Sequence, residues 1–351
     1  MKHVALNDKD ITDDLFPFSL IRHVADIRIG ILTIREKWEF LLGQPVSLVS
    51  DGKPVADHSL TFAANIVPSQ AITAALIYDE NKHSFADADH CRVIQYPWHI
   101  FQFNDWAIRQ DFKMITAKRI SAGVPETVYV TNPKDIFIEE GARLSHCILN
   151  ASTGPIYIGK GAEIMEGVVI RGPFALCEGA VVKMGAKIYG ATTIGPYSVV
   201  GGELKNTVIM GYSNKAHDGY LGDAVLGEWC NLGAGTSNSN LKNNLGEVNV
   251  LNPLSGSRIN AGIKCGLLMG DYSRSAINTS FNTGTVVGIS SNVFGNGLTP
   301  AYIPGFSWGY SPLGKYQFEK AITDIANWKK LKGKSLTEDE IAQLKNIFNQ
   351  S

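Results

Sequence analysis

Residues 158–200, IGKGAEIMEGVVIRGPFALCEGAVVKMGAKIYGATTIGPYSVV, decide the fold of this chain. From Ile158 onward an aliphatic residue recurs at every sixth position, a period that fits neither a helix (3.6) nor an exposed strand (2). The aliphatic positions are Ile158, Ile164, Ile170, Leu176, Val182, Ile188, Ile194 and Val200. A glycine or another small residue usually follows three or four positions later, as at Gly161 and Gly179.

A six-residue period is typical of a parallel β-helix with triangular coils, in which three hexads form one turn of about 18 residues. The aliphatic residues then point inward and stack on their equivalents in neighbouring coils, while glycine occupies the corners. This role explains the 35 glycines of the chain. An ordinary β-sandwich would instead show alternation with period 2. The sequence therefore predicts a mainly β fold, a left-handed parallel β-helix of hexapeptide repeats.

The composition restricts the class of protein. The chain has 351 residues, 44% of them hydrophobic, and a formal net charge of -1, which argues against disorder and against a nucleic-acid-binding surface. Its five cysteines form no C-x-x-C pair, and no stretch reaches the roughly 20 apolar residues of a membrane helix. The first fifteen residues are too charged for a signal peptide. We expect a cytoplasmic protein that binds neither nucleic acid nor membrane.

The chain divides into four parts by pattern. These are a small α/β domain (1–105), a helix or linker (106–130), the β-helix (131–310) and C-terminal helices (311–351). In the first part, apolar spacing predicts a helix over Gly30–Leu42 and short strands near 46–49 and 74–78. In the last part, the capping-box pattern Thr337–Glu340 predicts the start of a second helix, and we expect this tail to brace the β-helix.

The hexad count breaks between Val200 and Leu226. We expect a loop extruded from the β-helix there, because functional residues concentrate on loops that a rigid scaffold presents. This segment contains His217, and a loop histidine is either a solvated side chain or an acid–base catalyst. Polar side chains near it make it a candidate functional residue.

Two motifs around His217 resemble the bifunctional N-acetylglucosamine-1-phosphate uridyltransferase/glucosamine-1-phosphate N-acetyltransferase (GlmU) family. They are K-A-H-x-x-Y-L-G-D-A from Lys215 to Ala224 and G-E-x-x-N-x-G-A-G-T from Gly227 to Thr236. The resemblance implies acetyl-CoA as co-substrate and an amino-sugar phosphate as the acceptor. It implies His217 as the general base, Ala234 at the thioester of acetyl-CoA, and a substrate-binding set of Lys205, Lys215, Tyr220, Asn231 and Asn240.

A further resemblance covers nearly the whole chain. The runs R-H-V-A-D-I-R-I-G-I-L-T-I-R-E-K-W (22–38), S-N-K-A-H-D-G-Y-L-G (213–222) and F-N-T-G-T-V-V-G (281–288) are similar to the alternate bifunctional enzymes of Bacteroidetes-type bacteria. Those enzymes pair the β-helix with a shortened nucleotidyltransferase-like domain. The resemblance also implies a homotrimer, with acetyl-CoA along the outside of the coils and sites built from neighbouring subunits.

The front domain departs from the pattern of sugar nucleotidyltransferases. Residues 1–60 lack the Gly-rich phosphate-binding loop G-x-G-T-R-M, and His23 stands where that family has proline. A basic cluster could still bind nucleotide phosphates, or it could be a solvated helix face with local pairing to glutamates. Its members are Arg22, Arg28, Arg35 and Lys37. Mg²⁺ and UTP are expected as ligands only if this domain is active.

Zinc chemistry is a rival reading for a hexad β-helix, but His146 and His217 lie far apart without an H-x-x-x-x-H pair, so we predict no metal site. Cys230 beside Asn231 is better explained as a small core residue than as a nucleophile. The favoured hypothesis is an N-acetyltransferase acting on an amino-sugar 1-phosphate, with glucosamine-1-phosphate first, in UDP-N-acetylglucosamine synthesis. The alternatives are a retained nucleotidyltransferase activity and a non-catalytic oligomeric scaffold that binds sugar nucleotides.

Overall fold

The computed structural model describes residues 3–50, 60–72 and 91–350. Residues 129–308 form a β-solenoid of about 10 turns, which confirms the predicted fold class. Each coil crosses three faces in chain order, here called faces 1, 2 and 3, and equivalent strands of successive coils pair in parallel. The predicted strand near 74–78 lies outside the described residues.

The strands of the solenoid are short. Face 1 contains Tyr129–Thr131, Ile148–Asn150, Val169–Arg171, Lys187–Tyr189, Ser237–Asn238 and Ser280–Phe281. Face 2 contains Ile136–Ile138, Ile156–Ile158, Phe174–Leu176, Thr192–Ile194, Leu268–Met269, Val286–Val287 and Tyr302–Ile303. Face 3 contains Arg143–Leu144, Glu163–Ile164, Val181–Val182, Val199–Val200, Asn214–Lys215, Asn231–Leu232, Arg274–Ser275, Asn292–Val293 and Ser307–Trp308, with Gly314–Lys315 antiparallel at its end. Two longer strands, Glu203–Ile209 and Tyr220–Leu226, run across faces 1 and 2.

The hexad residues form the interior as predicted. From Ile158 to Val200, all eight aliphatic positions are buried in one continuous core. Corner glycines adopt the left-handed backbone that disfavours other residues, with φ of 63° at Gly161 and 61° at Gly179. The regular spacing therefore reports both the inward side chains and the turns between faces.

The interruption after Val200 is not an extruded loop, so that expectation was wrong. Val200 pairs with Lys215, and Leu204 pairs with Leu221, so these coils are complete but shorter than 18 residues. They are shorter because the two long strands pass from face 1 to face 2 without a separate corner segment. The solenoid instead extrudes residues 239–266, which carry the antiparallel strands Asn249–Leu251 and Arg258–Asn260.

The front part is a small α/β unit whose strands Ser47–Val49, Val4–Asn7 and Leu60–Ala63 form a parallel sheet in that order. Its other elements are strands Arg28–Ile29, Leu32–Thr33, Ile66–Pro68 and Cys91–Val93 and helices Ile34–Leu42, His99–Gln102 and Asn104–Thr116. The first helix begins at Ile34, not at Gly30, because Gly30 turns a tight hairpin with φ of 71°. Thr33 and Glu36 then form a capping box.

This front unit packs on the outward side of face 2. Val208, Val225 and Leu268 point away from the solenoid interior and are buried among side chains of the front unit. The amide of Gln102 donates to the carbonyl of Ala261 at 2.9 Å, which ties the extruded segment to the same interface. Face 2 is thus covered by the chain's own residues.

Two C-terminal helices, Phe318–Leu331 and Glu338–Gln350, cover the corner between faces 2 and 3. At that corner Tyr212 stacks on Trp229, with ring centroids 4.3 Å apart. The predicted capping box is present, since the amide of Glu340 donates to Thr337 Oγ1 at 3.2 Å. The tail therefore braces the solenoid, as expected. Among the described residues, no helix is both long and apolar enough to cross a membrane.

Candidate active site

His217 lies at the corner between face 3 and face 1, in the turn between strands Asn214–Lys215 and Tyr220–Leu226. Its side chain is exposed. In the next coil the same corner is formed by Gly233–Gly235, and the amide of Gly235 donates to the carbonyl of Asp218 at 3.0 Å. Adjacent strands are spaced about 4.8 Å apart. The corner arrangement therefore places Ala234 one coil from His217 on the same edge.

Lys215 occupies a core position of face 3, in register with Val200. Its side chain is buried, and its amine donates to the carbonyl of Gly201 at 3.3 Å and to the carbonyl of His217. Burial lowers the pKa of Lys215 to about 8, while Asp218 partly offsets this. The structure thus places this predicted substrate ligand inside the coil, where it fixes the backbone of the His217 turn.

Tyr220 and Lys205 lie on face 1, next to this corner. Tyr220 is in register with Glu203, and Lys205 is in register with Gly222. The Tyr220 ring lies over Gly222, because a Cβ on that glycine would stand 2.2 Å from the Tyr220 hydroxyl oxygen. Only a residue without a side chain leaves room for this ring orientation.

The hydroxyl of Tyr220 belongs to a hydrogen-bond network that is centred on the buried carboxylate of Asp223. The Asn240 amide donates to the Tyr220 hydroxyl oxygen at 3.1 Å and also to Asp223. The Asn206 amide donates to the other oxygen of Asp223 at 2.7 Å. Burial and the nearby Asp223 raise the pKa of Tyr220, so its phenol stays protonated at neutral pH. Two predicted ligands, Tyr220 and Asn240, therefore meet in one network.

Lys187 belongs to the same face and was not among the predicted site residues. It is exposed and in register with Glu203, which is in turn in register with Tyr220. Lys205 lies 5.8 Å from the centroid of the Tyr189 ring. Because the hexad count already placed Ile188 in the interior, its neighbour Lys187 could have been assigned to the surface column of face 1.

Asn231 lies around the corner, on face 3. It is in register with Asn214 and with Arg274 of the following coil. The neighbouring Cys230 is buried, and its thiol contacts the carbonyl of Gly270 at 3.2 Å. Burial raises the pKa of the Cys230 thiol, which favours its reading as a core residue.

The four residues of the predicted basic cluster each form an ion pair within the chain. Arg22 lies 2.6 Å from Asp271 of the solenoid. The other pairs are Arg28 with Glu36 at 3.4 Å, Arg35 with Asp26 at 2.8 Å, and Lys37 with Asp111. Lys37 is fully buried and does not line a solvated helix face. These contacts give the cluster a structural role in the folded chain.

The part of the chain that the structure describes contains no group of three or more His, Cys, Asp or Glu side chains arranged to hold an ion. All five cysteines are buried.

Comparisons with known proteins confirm the resemblance to the GlmU family. The family model for sugar nucleotidyl transferases matches residues 4–77 and 50–120. A bifunctional GlmU protein of Methanocaldococcus jannaschii is 34% identical over 146 residues, which are 36% of this chain and 35% of that protein. The bifunctional sugar-1-phosphate nucleotidylyltransferase/acetyltransferase of Sulfurisphaera tokodaii is 31% identical over 201 residues, 56% of this chain and 43% of that protein.

The chain thus spans less than half the length of these curated relatives. Among solved structures, the polysialic-acid-specific acetyltransferase NeuO aligns with 59% of this chain and 96% of its own, at 13% identity and a TM-score of 0.31.

Proposed function

We propose that this protein transfers an acetyl group from acetyl-CoA to the amine of an amino-sugar 1-phosphate, with glucosamine-1-phosphate as the first candidate. One observation carries the proposal. His217 and Ala234 occupy the same corner of consecutive coils, directly beside the face that presents Lys205 and Tyr220. The proposed base, a backbone segment held between coils and the proposed phosphate anchor Lys205 are therefore adjacent, and the GlmU relatives suggest the reaction class.

His217 is the proposed general base. The attacking amine must lose a proton, and histidine is the side chain that most often serves as the general base. The exposed ring at the corner can be reached by a substrate that lies on face 1. Lys215 does not contact the substrate in this proposal. It positions His217 by binding the carbonyl of that residue.

Ala234 is the proposed contact for the thioester of acetyl-CoA. Its carbonyl accepts the amide of Asn278 at 2.7 Å, so the peptide is held rigidly between coils. A fixed backbone donor at this edge would stabilise the oxyanion of the tetrahedral intermediate. The exposed Ile277, next to Asn278, adds apolar surface along the same edge for the pantetheine arm. When bound, acetyl-CoA supplies the activated acetyl group.

Lys205 is the proposed anchor for the sugar phosphate, together with Lys187. Two ammonium groups on one face attract a phosphate dianion. Tyr220 and Asn240 would orient the sugar ring through their hydroxyl and amide groups, and Asn231 would reach the sugar from the adjacent face.

We also propose a homotrimer in the cytoplasm. Tyr129, Ile148 and Val169 form an exposed apolar column on face 1, in register with one another. The column leads towards Lys187 and Tyr220, so a second copy of the chain packed on it would approach the site. Light scattering after size-exclusion chromatography should give three chains per particle. A monomer at micromolar concentration would contradict this assembly.

The decisive test measures thiol release from acetyl-CoA in the presence of glucosamine-1-phosphate. His217→Ala should lower kcat by about 100-fold or more, which is typical for loss of a general base. His146→Ala is the matched control, because His146 lies at the same solenoid edge in an earlier coil and its carbonyl accepts the amide of Gly167 at 2.9 Å. Absence of turnover by the wild-type protein, with ligand binding retained, would favour the non-catalytic scaffold.

A second candidate function is a retained sugar-1-phosphate nucleotidyltransferase activity, favoured by the family match to the front domain. The paired state of Arg22, Arg28, Arg35 and Lys37 argues against their use for nucleotide phosphates. Incubation with UTP, Mg²⁺ and N-acetylglucosamine-1-phosphate should release pyrophosphate if this activity exists. We expect none.

A further inference from the structure

Arg274 lies on face 3, in register with Asn231 on one side and Asn292 on the other. Its guanidinium packs against the indole of Trp328 from the C-terminal helix Phe318–Leu331, with 5.5 Å from Cζ to the ring centroid. The helix that braces the solenoid therefore also covers this side chain. Neither the hexad repeat nor the motifs around His217 assigns Arg274 a role.

The guanidinium has an unused pair of donors. Among the residues that the structure describes, neither Nε nor Nη2 of Arg274 has a hydrogen-bond partner, although both atoms are buried. Guanidinium is always charged, and Nε and Nη2 form one edge that matches two oxygens of a phosphate. Leaving buried charged donors without acceptors is costly. The nearby carboxylate of Asp324 already accepts the hydroxyl of Tyr316.

We propose that Arg274 binds a phosphate group through Nε and Nη2, beside Asn231, and that the Trp328 indole moves to admit it. Adjacent strands are about 4.8 Å apart, so one ligand can contact both Asn231 and Arg274. This deepens the proposed function, on which the identity of the phosphate rests. The phosphate comes either from the sugar 1-phosphate or from the nucleotide part of the coenzyme.

Binding is tested first, without reference to catalysis. Inorganic phosphate is titrated at constant ionic strength while tryptophan emission is recorded for wild type and Trp328→Phe. The difference in emission between the two proteins is the contribution of Trp328. It should change when phosphate is added, since Trp328 covers the site. Arg274→Gln should weaken phosphate binding by about tenfold or more, and Arg274→Lys should not restore it, because lysine keeps the charge but loses the paired donors.

Arg143→Gln is the matched control. Arg143 lies on the same face, and its exposed guanidinium pairs with Glu163 at 3.0 Å. It should bind phosphate like the wild type. The proposal is overturned if Arg274→Gln also binds phosphate like the wild type. It is overturned equally if the emission of Trp328 does not change when phosphate is added.

Steady-state kinetics then distinguish the two sources. A rise in KM of Arg274→Gln for glucosamine-1-phosphate alone assigns the site to the sugar phosphate. A rise for acetyl-CoA but not for acetyl-pantetheine, which lacks the nucleotide, assigns it to the coenzyme. If the KM of Arg274→Gln rises for neither substrate, the proposed role of Arg274 in the reaction is overturned. If the wild type shows no turnover, the proposed function fails, while the phosphate titration still decides the Arg274 site.

Discussion

The amine of Lys215 donates to the backbone carbonyl of His217, two residues along the chain. Lys215 stands where the hexad pattern requires an aliphatic residue, in register with Val200. A buried amine in a core position destabilises a protein unless it is hydrogen-bonded. Here the hydrogen bonds go to the turn that carries the candidate base, so the polar core residue positions the site.

The buried amine of Lys215 predicts a stability that depends on pH. Because burial lowers the folded-state pKa to about 8 from an ordinary 10.5, the unfolded chain binds more protons between these values. The free energy of unfolding should therefore rise with pH across this window, by at most about 3 kcal/mol, relative to Lys215→Met. Urea unfolding at a series of pH values measures it.

Lys183→Met is the control for this experiment, because Lys183 follows Val182 on the surface of the same edge and is exposed. It should show the pH dependence of the wild type. An identical pH dependence in Lys215→Met would contradict the assignment of a buried, low-pKa amine. Lys215→Met should also lower kcat more than it raises the KM for the sugar, since the turn of His217 loses its support.

The interior of the solenoid could be predicted because one residue type repeats at one spacing. The six-residue period alone was enough to predict that Ile158 and Val200 lie in the interior. The outward face could not be predicted in the same way: Val208 and Val225 look like ordinary strand residues until the front unit packs on them. The motif implies that Lys215 binds the substrate, whereas the hydrogen bonds of its amine to the carbonyls of Gly201 and His217 are visible only in the structure.

A glycine on face 1 provides a second prediction, for substrate binding. Gly222→Ala puts a methyl group against the Tyr220 hydroxyl, which must move away. Since the obstacle is the tip of a side chain, the fold should tolerate the change, while the KM for the amino sugar rises by about tenfold. Steady-state kinetics and thermal unfolding measure the two effects.

Gly123→Ala is the neutral comparison, because a Cβ at Gly123 has no neighbour within 4 Å. It should change neither the KM nor the melting temperature. An unchanged KM in Gly222→Ala would show that the orientation of the Tyr220 ring does not matter for binding.

The site was only partly predictable because its residues come from different faces. His217, Tyr220 and Asn231 belong to local motifs, and the resemblance to the GlmU family implies them as parts of one site. Arg274 has no motif, and only strand register brings it beside Asn231. The ion pair of Arg22 with Asp271 joins residues 249 positions apart, a relationship that no local pattern reports.

A third prediction concerns the buried pair of Lys37 and Asp111. One oxygen of Asp111 accepts the amides of Ile31 at 2.7 Å and Leu32 at 3.1 Å as well as the Lys37 amine. Asp111→Ala should lower the unfolding free energy by about 3–5 kcal/mol, because it leaves the buried ammonium group of Lys37 without its carboxylate partner. Urea denaturation measures the loss.

The exposed pair of Arg143 with Glu163 is the comparison for Asp111, and Glu163→Ala should cost at most about 1 kcal/mol. Equal losses for the two variants would mean that the Lys37 pair contributes no more than a surface contact. Acetyl transfer by refolded Asp111→Ala should remain if the solenoid folds without the hairpin at Gly30.

The last prediction concerns the junction between the front unit and the solenoid. Arg22 lies 2.6 Å from Asp271 and 3.6 Å from Glu228, and the Asp271 side chain is fully buried. Arg22→Met leaves that carboxylate buried without its cation, so the unfolding free energy should fall by about 3–5 kcal/mol. Adding Asp271→Asn should recover part of the loss, since the double variant removes both charges. Hydrogen exchange should localise the effect of Arg22→Met to residues 20–30 and 227–229. Additive losses in the double variant would show that the two side chains do not interact.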